Sequence, residues 1–383
     1  MSSLYRKKQL YLLLLIGCGV SCFSASAMAP AAHDSTATVK ANDNVKGLIP
    51  IPVIYYTPDT RLGLGAAVIG FLRLKSHTDS TYTRLSTARL LADYTLNKQM
   101  DQQLIWSVFT REEKYLLRGE LRHRVYTDRF YGIGNNTPVA DEGKYKYDYV
   151  SAQLGGLKNL GGRIFLGIDL LLTNYYNPST DSLSEGRESL LEAQQIAGYK
   201  GGLNSGAGLV FLVDTRDNTA FASSGMLFEA SVYNFGSMLG GDFNYRNVNL
   251  NFSKYFEVRP GRVLAFNTVL NLNNGEVPVM RLAPVGGALI LRGYARNRFL
   301  DDNFAGTQAE YRFPLYRRLG LAAFAGVGDV FGEPSDVHFS TLKYSVGSGL
   351  RYALSKEQKL NIRVDLGYGR EGSNFYIVIG EAF

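Results

Sequence analysis

From Gly47 to the end of the chain, apolar and polar residues alternate at every second position, segment after segment, and no helical period survives three turns. The clearest case sets Leu360, Ile362, Val364, Leu366 and Tyr368 against Asn361, Arg363, Asp365, Gly367 and Gly369. Another sets Val248, Leu250 and Phe252 against Asn247, Asn249 and Asn251. A period of two fits extended strands, whose side chains point to opposite faces in turn. Sixteen such segments can be counted between clusters of Gly, Asn, Asp, Pro and Lys: 48–57, 61–74, 83–96, 102–111, 115–130, 145–158, 163–176, 203–214, 225–235, 242–256, 262–273, 304–314, 319–331, 341–354, 359–370 and 374–383.

In a soluble sandwich the polar face would be the outer one. Here glycine and charge crowd that face together, as expected where a packed plug approaches an inner wall. The chain is 45% hydrophobic, with 41 Gly, 25 Tyr and 21 Phe, yet no apolar run of about 18 residues occurs beyond the N-terminal region. Closing the sheet also removes the edges that so many strands would expose. The expected fold is therefore all-β, a sixteen-stranded antiparallel transmembrane β-barrel with an apolar outside and a polar lumen. If the first strand runs outward, the long connections 132–143, 177–202 and 274–303 are extracellular, and the turns after strands four, six, ten, twelve and fourteen are short and periplasmic.

The N-terminus reads as an export signal. Residues 1–29 combine a basic start at Arg6, Lys7 and Lys8, an apolar core from Leu10 to Val20 and the small-x-small site Ala27-Met28-Ala29. Without those three cations the formal net charge falls from +7 to +4, which suits anionic lipid headgroups and is no nucleic-acid signature. Both cysteines, Cys18 and Cys22, lie in this segment, so no disulfide is expected. A lipoprotein box at Leu15-Ile16-Gly17-Cys18 is the competing reading of the same stretch. Residues 30–46 are small and polar and read as a flexible periplasmic lead-in, leaving 47–383 for the barrel.

The connection between the eleventh and twelfth strands carries Arg292, Arg296 and Arg298 within seven residues, around Arg292-Gly293-Tyr294 and ahead of Asp301 and Asp302. Cations this dense leave bulk water only where carboxylates meet them. Glu310 lies on the polar face of the twelfth strand with Gly306, Gln308 and Arg312, and a guanidinium takes such a carboxylate bidentately where a lysine could not. Arg292 with Glu310 is thus the main candidate site. The other reading leaves Arg292 in a solvated loop.

The chain resembles the BamA/TamA superfamily of outer-membrane insertases and translocases, the bacterial surface antigen family, over residues 47–383. The resemblance rests on Leu291-Arg292-Gly293-Tyr294, on Asp214-Thr215-Arg216-Asp217-Asn218 running to Gly225, on Phe130-Tyr131-Gly132-Ile133-Gly134-Asn135, and on the terminal aromatic Phe383. It implies a sixth extracellular loop that folds into the lumen, its arginine pairing with acidic groups on the wall, and a terminal aromatic that serves as an assembly signal. Relatives tend to carry an inward Asp in a Phe-x-Asp-x-Gly motif, where this chain reads Phe324-Ala325-Gly326-Val327-Gly328. Asp329, of opposite parity, is left as the possible second partner. Asp214, Arg216, Asp217 and Asn218 form a periplasmic turn whose role reads as mainly structural, since Asp and Asn cap turn amides. Relatives also carry POTRA repeats before the barrel, for which residues 30–46 give no room.

The leading function is a non-catalytic barrel assisting protein or lipid assembly or translocation at the Gram-negative outer membrane. It would act through a weak seam between the first strand, shortened and bearing Pro50 and Pro52, and the last. The alternative is a passive porin-like channel gated by the Arg292 loop. A barrel lipase or deacylase is the third class. Among the four histidines His33, His77, His123 and His338, only His123 sits on a strand, without a serine and acid set. No metal-ligand cluster, cofactor-binding loop or nucleic-acid motif is evident. The expected partners are outer-membrane lipids including lipopolysaccharide, the barrel assembly machinery for the chain's own insertion, and a separate periplasmic protein in place of the missing repeats.

Overall fold

A computed structural model describes residues 46–57, 61–75, 83–182, 189–219, 221–355 and 360–383. The proposed signal and lead-in, both cysteines, His33, His77 and the turn at 58–60 lie outside these residues. The strands are β1 (Lys46–Thr57), β2 (Arg61–Leu72), β3 (Ser86–Thr95), β4 (Met100–Phe109), β5 (Tyr115–Phe130), β6 (Gly143–Gly161), β7 (Ile164–Ser182), β8 (Gly202–Asp214) and β9 (Gly225–Phe235). They continue as β10 (Tyr245–Arg259), β11 (Arg262–Gly275), β12 (Ala283–Val285), β13 (Phe299–Asp301), β14 (Asn303–Tyr316), β15 (Leu319–Phe331), β16 (Lys343–Ser355), β17 (Leu360–Gly369) and β18 (Gly372–Ile379).

Sixteen of them form one antiparallel sheet in chain order, with β11 pairing directly to β14. The short β12 and β13 pair with each other inside the long connection, a hairpin that the alternation did not foresee. A twisted sheet of this width curls rather than lying flat. Among the described residues no ladder joins β1 to β18.

The two faces divide as the period of two demands. In β17, Arg363 and Asp365 are 0% exposed on the inner face while Leu366 is 44% and Tyr368 54% exposed on the outer. The apolar side faces outward and the charges lie inside, the reverse of a soluble sandwich. On β10 and β11 the inner face is an asparagine ladder, in which Asn247 Nδ2 donates to Asn271 and Asn273 at 2.7 Å each and Asn267 Nδ2 donates to Asn251 at 2.8 Å. Stacked amides satisfy one another there where a lone buried amide would be costly. Among the described residues no helix is long and apolar enough to cross a membrane.

Two strand limits differ from expectation. β6 and β7 run 19 residues each, so β7 continues through Ser182 into the stretch read as a loop from Asn177. Each is longer than the about 9–11 residues of tilted strand that a bilayer takes. Their inner face is a buried tyrosine ladder, Tyr145, Tyr147 and Tyr149 with Tyr175, whose packing sustains the strands beyond the alternating stretch. At the other limit β18 stops at Ile379, and Phe383 is not in a strand. Gly380, at φ +92°, turns the chain inward, and the Phe383 ring packs 6.3 Å from Tyr255.

Candidate functional site

The connection between β11 and β14 folds onto the inner face of the sheet, and its conformation follows from a few residues. Gly293 has φ +127°, and a Cβ there would come within 2.6 Å of the Tyr368 backbone. Only glycine suits both demands. The β17 wall gives way reciprocally, because a Cβ on Gly367 would meet the Arg292 carbonyl at 2.3 Å. Once docked, the loop backbone bonds to the wall: Gly293 N–H donates to Tyr376 Oη at 3.0 Å, Tyr376 Oη donates to Tyr294 O at 2.9 Å, and Asn374 Nδ2 donates to Gly293 O at 2.7 Å. Tyr294 Oη reaches the Tyr344 carbonyl at 3.2 Å. Leu291, fully buried at φ +50°, is held in the left-handed region by this packing.

Arg292 is 0% exposed. Its Nη1 stands 2.7 Å from Glu310 Oε2 on β14 and 2.7 Å from Asp365 Oδ2 on β17, and its guanidinium lies 3.4 Å over the Phe324 ring. The pair with Glu310 is a single-nitrogen bridge shared with Asp365, not a two-pronged fork. Further guanidiniums surround the same two carboxylates. Arg312 Nε donates to Glu310 at 2.7 Å, Arg351 reaches Glu310 at 3.2 Å and Asp365 at 2.5 Å, and Arg363 bonds Asp365. Glu381 completes the layer 2.9 Å from Arg351. Four guanidiniums thus face three carboxylates, and the surplus N–H groups turn to backbone: Arg363 Nη2 donates to Ala288 O at 2.7 Å and Arg312 Nη2 to Phe383 O at 3.0 Å.

Asp329 is not a partner of Arg292. It lies near the end of β15 on the opposite parity and instead meets Lys343 Nζ and Thr341 Oγ1, each at 2.5 Å. The second carboxylate beside Arg292 is Asp365. Its alternation with Arg363 was visible in the sequence, but its proximity to the loop was not, since 73 residues separate them. Where relatives were expected to place an inward Asp, Gly326 leaves room for Leu291, whose Cδ2 lies 3.4 Å from the position of a Cβ.

The other two loop arginines reach other walls. Arg296 Nη2 lies 3.4 Å from Asp128 on β5. Arg298 Nε lies 2.6 Å from Glu371, between β17 and β18, and Nη1 donates to Thr137 Oγ1 at 2.8 Å. The Gly134-Asn135 segment closes over them, as Gly134 N–H donates to Leu300 O at 2.7 Å and Asn135 Nδ2 to Val330 O at 3.0 Å. Between these anchors, burial pushes the Asp301 carboxyl above its ordinary range; the Asp302 and Asp336 charges add to this, and the Asp302 N–H and Lys343 pull against it.

The Asp214 to Asn218 turn lies at the opposite end of the sheet. Asp217 accepts from Ser223 N–H at 2.8 Å and Ser224 N–H at 3.1 Å, and Asn218 accepts from Phe221 N–H at 2.9 Å. Arg216 Nε pairs with Asp214 at 2.9 Å. All four residues are thereby engaged within the turn itself.

Comparison with known proteins gives this architecture relatives. Residues 100–383 match the Omp85 superfamily domain. Outer membrane protein assembly factor BamA of Nitratidesulfovibrio vulgaris is 27% identical over 168 residues, 39% of this chain, and the chain spans about a fifth (21%) of that protein's length. The structure of Haemophilus ducreyi BamA lacking POTRA domains 1-3 is similar at TM-score 0.55 and 14% identity, over 88% of this chain and 70% of that one. CdiB from Acinetobacter baumannii is similar at TM-score 0.52 and 10% identity, over 88% and 59%. With the family domain matched over residues 100–383, most of this chain, the protein is an outer-membrane β-barrel protein and belongs to the Omp85 superfamily.

Proposed function

We propose that the protein is a non-catalytic barrel of the Gram-negative outer membrane, exported through a cleaved signal, that assists assembly or translocation of proteins or lipids by opening between its first and last strands. One observation carries the reading. Among the described residues every inner strand of the sixteen-stranded sheet is paired on both sides, whereas β1 and β18 are each paired on one side only. β18 is only eight residues long, and Pro50 and Pro52 deprive β1 of two N–H donors. Closure of the barrel through so weak a seam would be reversible, while the Arg292 layer braces the adjacent wall formed by β14 to β18.

In this reading β1 runs outward and the Arg292 loop enters from the cell exterior. Lipopolysaccharide and other outer-membrane lipids meet the outer face, and the barrel assembly machinery inserts the chain using Phe383 as its signal. A separate periplasmic protein delivers cargo to the turn end around Asp214 and Arg216. The resemblance to BamA and CdiB supports the class of activity, and the asymmetry in pairing supports the route.

The test is a set of cysteine pairs, one member in β1 and one in β18, expressed in cells that depend on the protein. Oxidation should compromise the envelope barrier and reduction should restore it. Complete cross-linking with an unchanged barrier overturns the proposal. The second reading, a channel gated by the loop, is favoured by the asparagine-lined inner face of β10 and β11. Planar-bilayer recording separates the two: a channel shows steady conductance that rises in Arg292→Ala, and a seam-opening barrel stays mostly closed.

A further inference from the structure

The loop divides the space inside the sheet unevenly. Its Arg292 face is fused to the wall, whereas its opposite face borders a cavity of about 150 Å³ against β5, β6 and β7. Two kinds of group meet there. The first is aromatic: Tyr147 and Tyr149 stack at 6.2 Å, and Tyr175 lies 5.8 and 5.6 Å from them. The second is a pair of guanidiniums from opposite sides, Arg124 from β5 and Arg296 from the loop, which lie 3.6 and 5.3 Å from the same Tyr126 ring.

Their hydrogen bonding is incomplete. Arg124 is 4% exposed, yet its Nε has no hydrogen-bond acceptor, and Asp101 Oδ2 stands 3.4 Å away without bonding it. Arg296 Nε and Nη1 likewise have none. Buried N–H groups of this kind normally find a partner. The nearby acids are already committed: Asp101 takes Arg122 Nε at 2.7 Å, and Asp128 takes the Tyr147 hydroxyl at 2.6 Å. Arg122, Arg124, Arg129, Arg281 and Arg296 line the cavity against Glu120 and Asp128.

We propose that this cavity binds an acidic sugar, a single ring carrying a phosphate or carboxylate. The oxyanion would sit between Arg124 and Arg296, where N–H donors lack acceptors, and the ring would lie against the rims of the tyrosine cluster that line the cavity.

The test uses the full chain purified from outer membranes in detergent and titrated calorimetrically with glucose 1-phosphate, glucuronic acid, glucose and inorganic phosphate. The expected result is binding of at least one acidic sugar, at least tenfold tighter than either glucose or inorganic phosphate; the two acidic sugars distinguish phosphate from carboxylate. Arg124→Gln and Arg296→Gln should each weaken binding at least tenfold, with heat-modifiable migration checking that the barrel has folded. Asp128→Asn, which removes a competing negative charge, should tighten binding and gives a readout even if a guanidinium variant fails to fold. Absence of binding by both acidic sugars, glucose or inorganic phosphate binding equally well, or wild-type affinity in the folded variants overturns the proposal.

Discussion

The two faces of one loop behave differently. Arg292, Gly293 and Tyr294 are pressed against β14 to β18 with no space for an added methyl and with carboxylates at 2.7 Å. Arg296, four residues on, faces a cavity and has a single acid at 3.4 Å. The wall explains the difference. β17 offers inward Gly367 and Gly369 beside Asp365, so backbone can approach and charge can pair, whereas β6 and β7 offer tyrosines that pack on loop side chains such as Leu282 and Leu300. Burial alone therefore does not make a lock; close backbone approach together with a matched carboxylate does.

The charge count of the locked side says which substitution breaks it most. Glu310→Ala leaves four guanidiniums facing two carboxylates, and should cost about 3–5 kcal/mol, the scale for orphaning buried charge. Thermal unfolding in detergent measures it. Gly293→Ala should cost about 3 kcal/mol through positive φ and backbone collision, and should expose the loop to protease in intact cells. Arg292→Ala is milder, about 2 kcal/mol, because three guanidiniums then balance three carboxylates and the losses are a buried ion pair and the contact with Phe324. If Arg292→Ala proves worse than Glu310→Ala, the layer is not limited by its acids and the comparison fails.

Smaller effects lie where the anchors meet solvent. Arg298→Ala should cost about 1 kcal/mol, since the Glu371 side chain is 35% exposed and largely screened. The smallest concerns pH. Asp301 holds its proton more tightly in the docked loop than in the free chain, because burial raises its folded value. Its protonation thus favours docking at acid pH, and that contribution fades as pH rises through the raised value. Loop protease sensitivity measured across the acid range should show this slope, and Asp301→Asn should flatten it.

Much of this was legible in the residues. Alternation in β10, β14 and β17 gave the sheet, its inside and its outside, since a period of two assigns each side chain to a face without knowledge of the partner strand. Arg292 and Glu310 were legible as a candidate pair because both broke rules that solvent-exposed loops and apolar walls obey. Asp365 escaped as the second partner because parity says that it points inward and nothing about height along the lumen. Phe383 was misread as strand because alternation cannot register the reversal at Gly380. The extra length of β6 and β7 was hidden for a related reason: tyrosine packing sustains strand where the sequence is polar.

The sequence by itself determined the strand count of the main sheet, the polarity of its two faces and the density of charge in the long loop, all of which follow from local stereochemistry and spacing. Only the tertiary structure decided which carboxylates meet which arginine, that the lock holds four guanidiniums against three acids, and that the far side of the loop borders a cavity. Those outcomes depend on shear between strands and on the curl of the whole sheet, which bring residues 73 apart to within 2.7 Å and which no local pattern encodes.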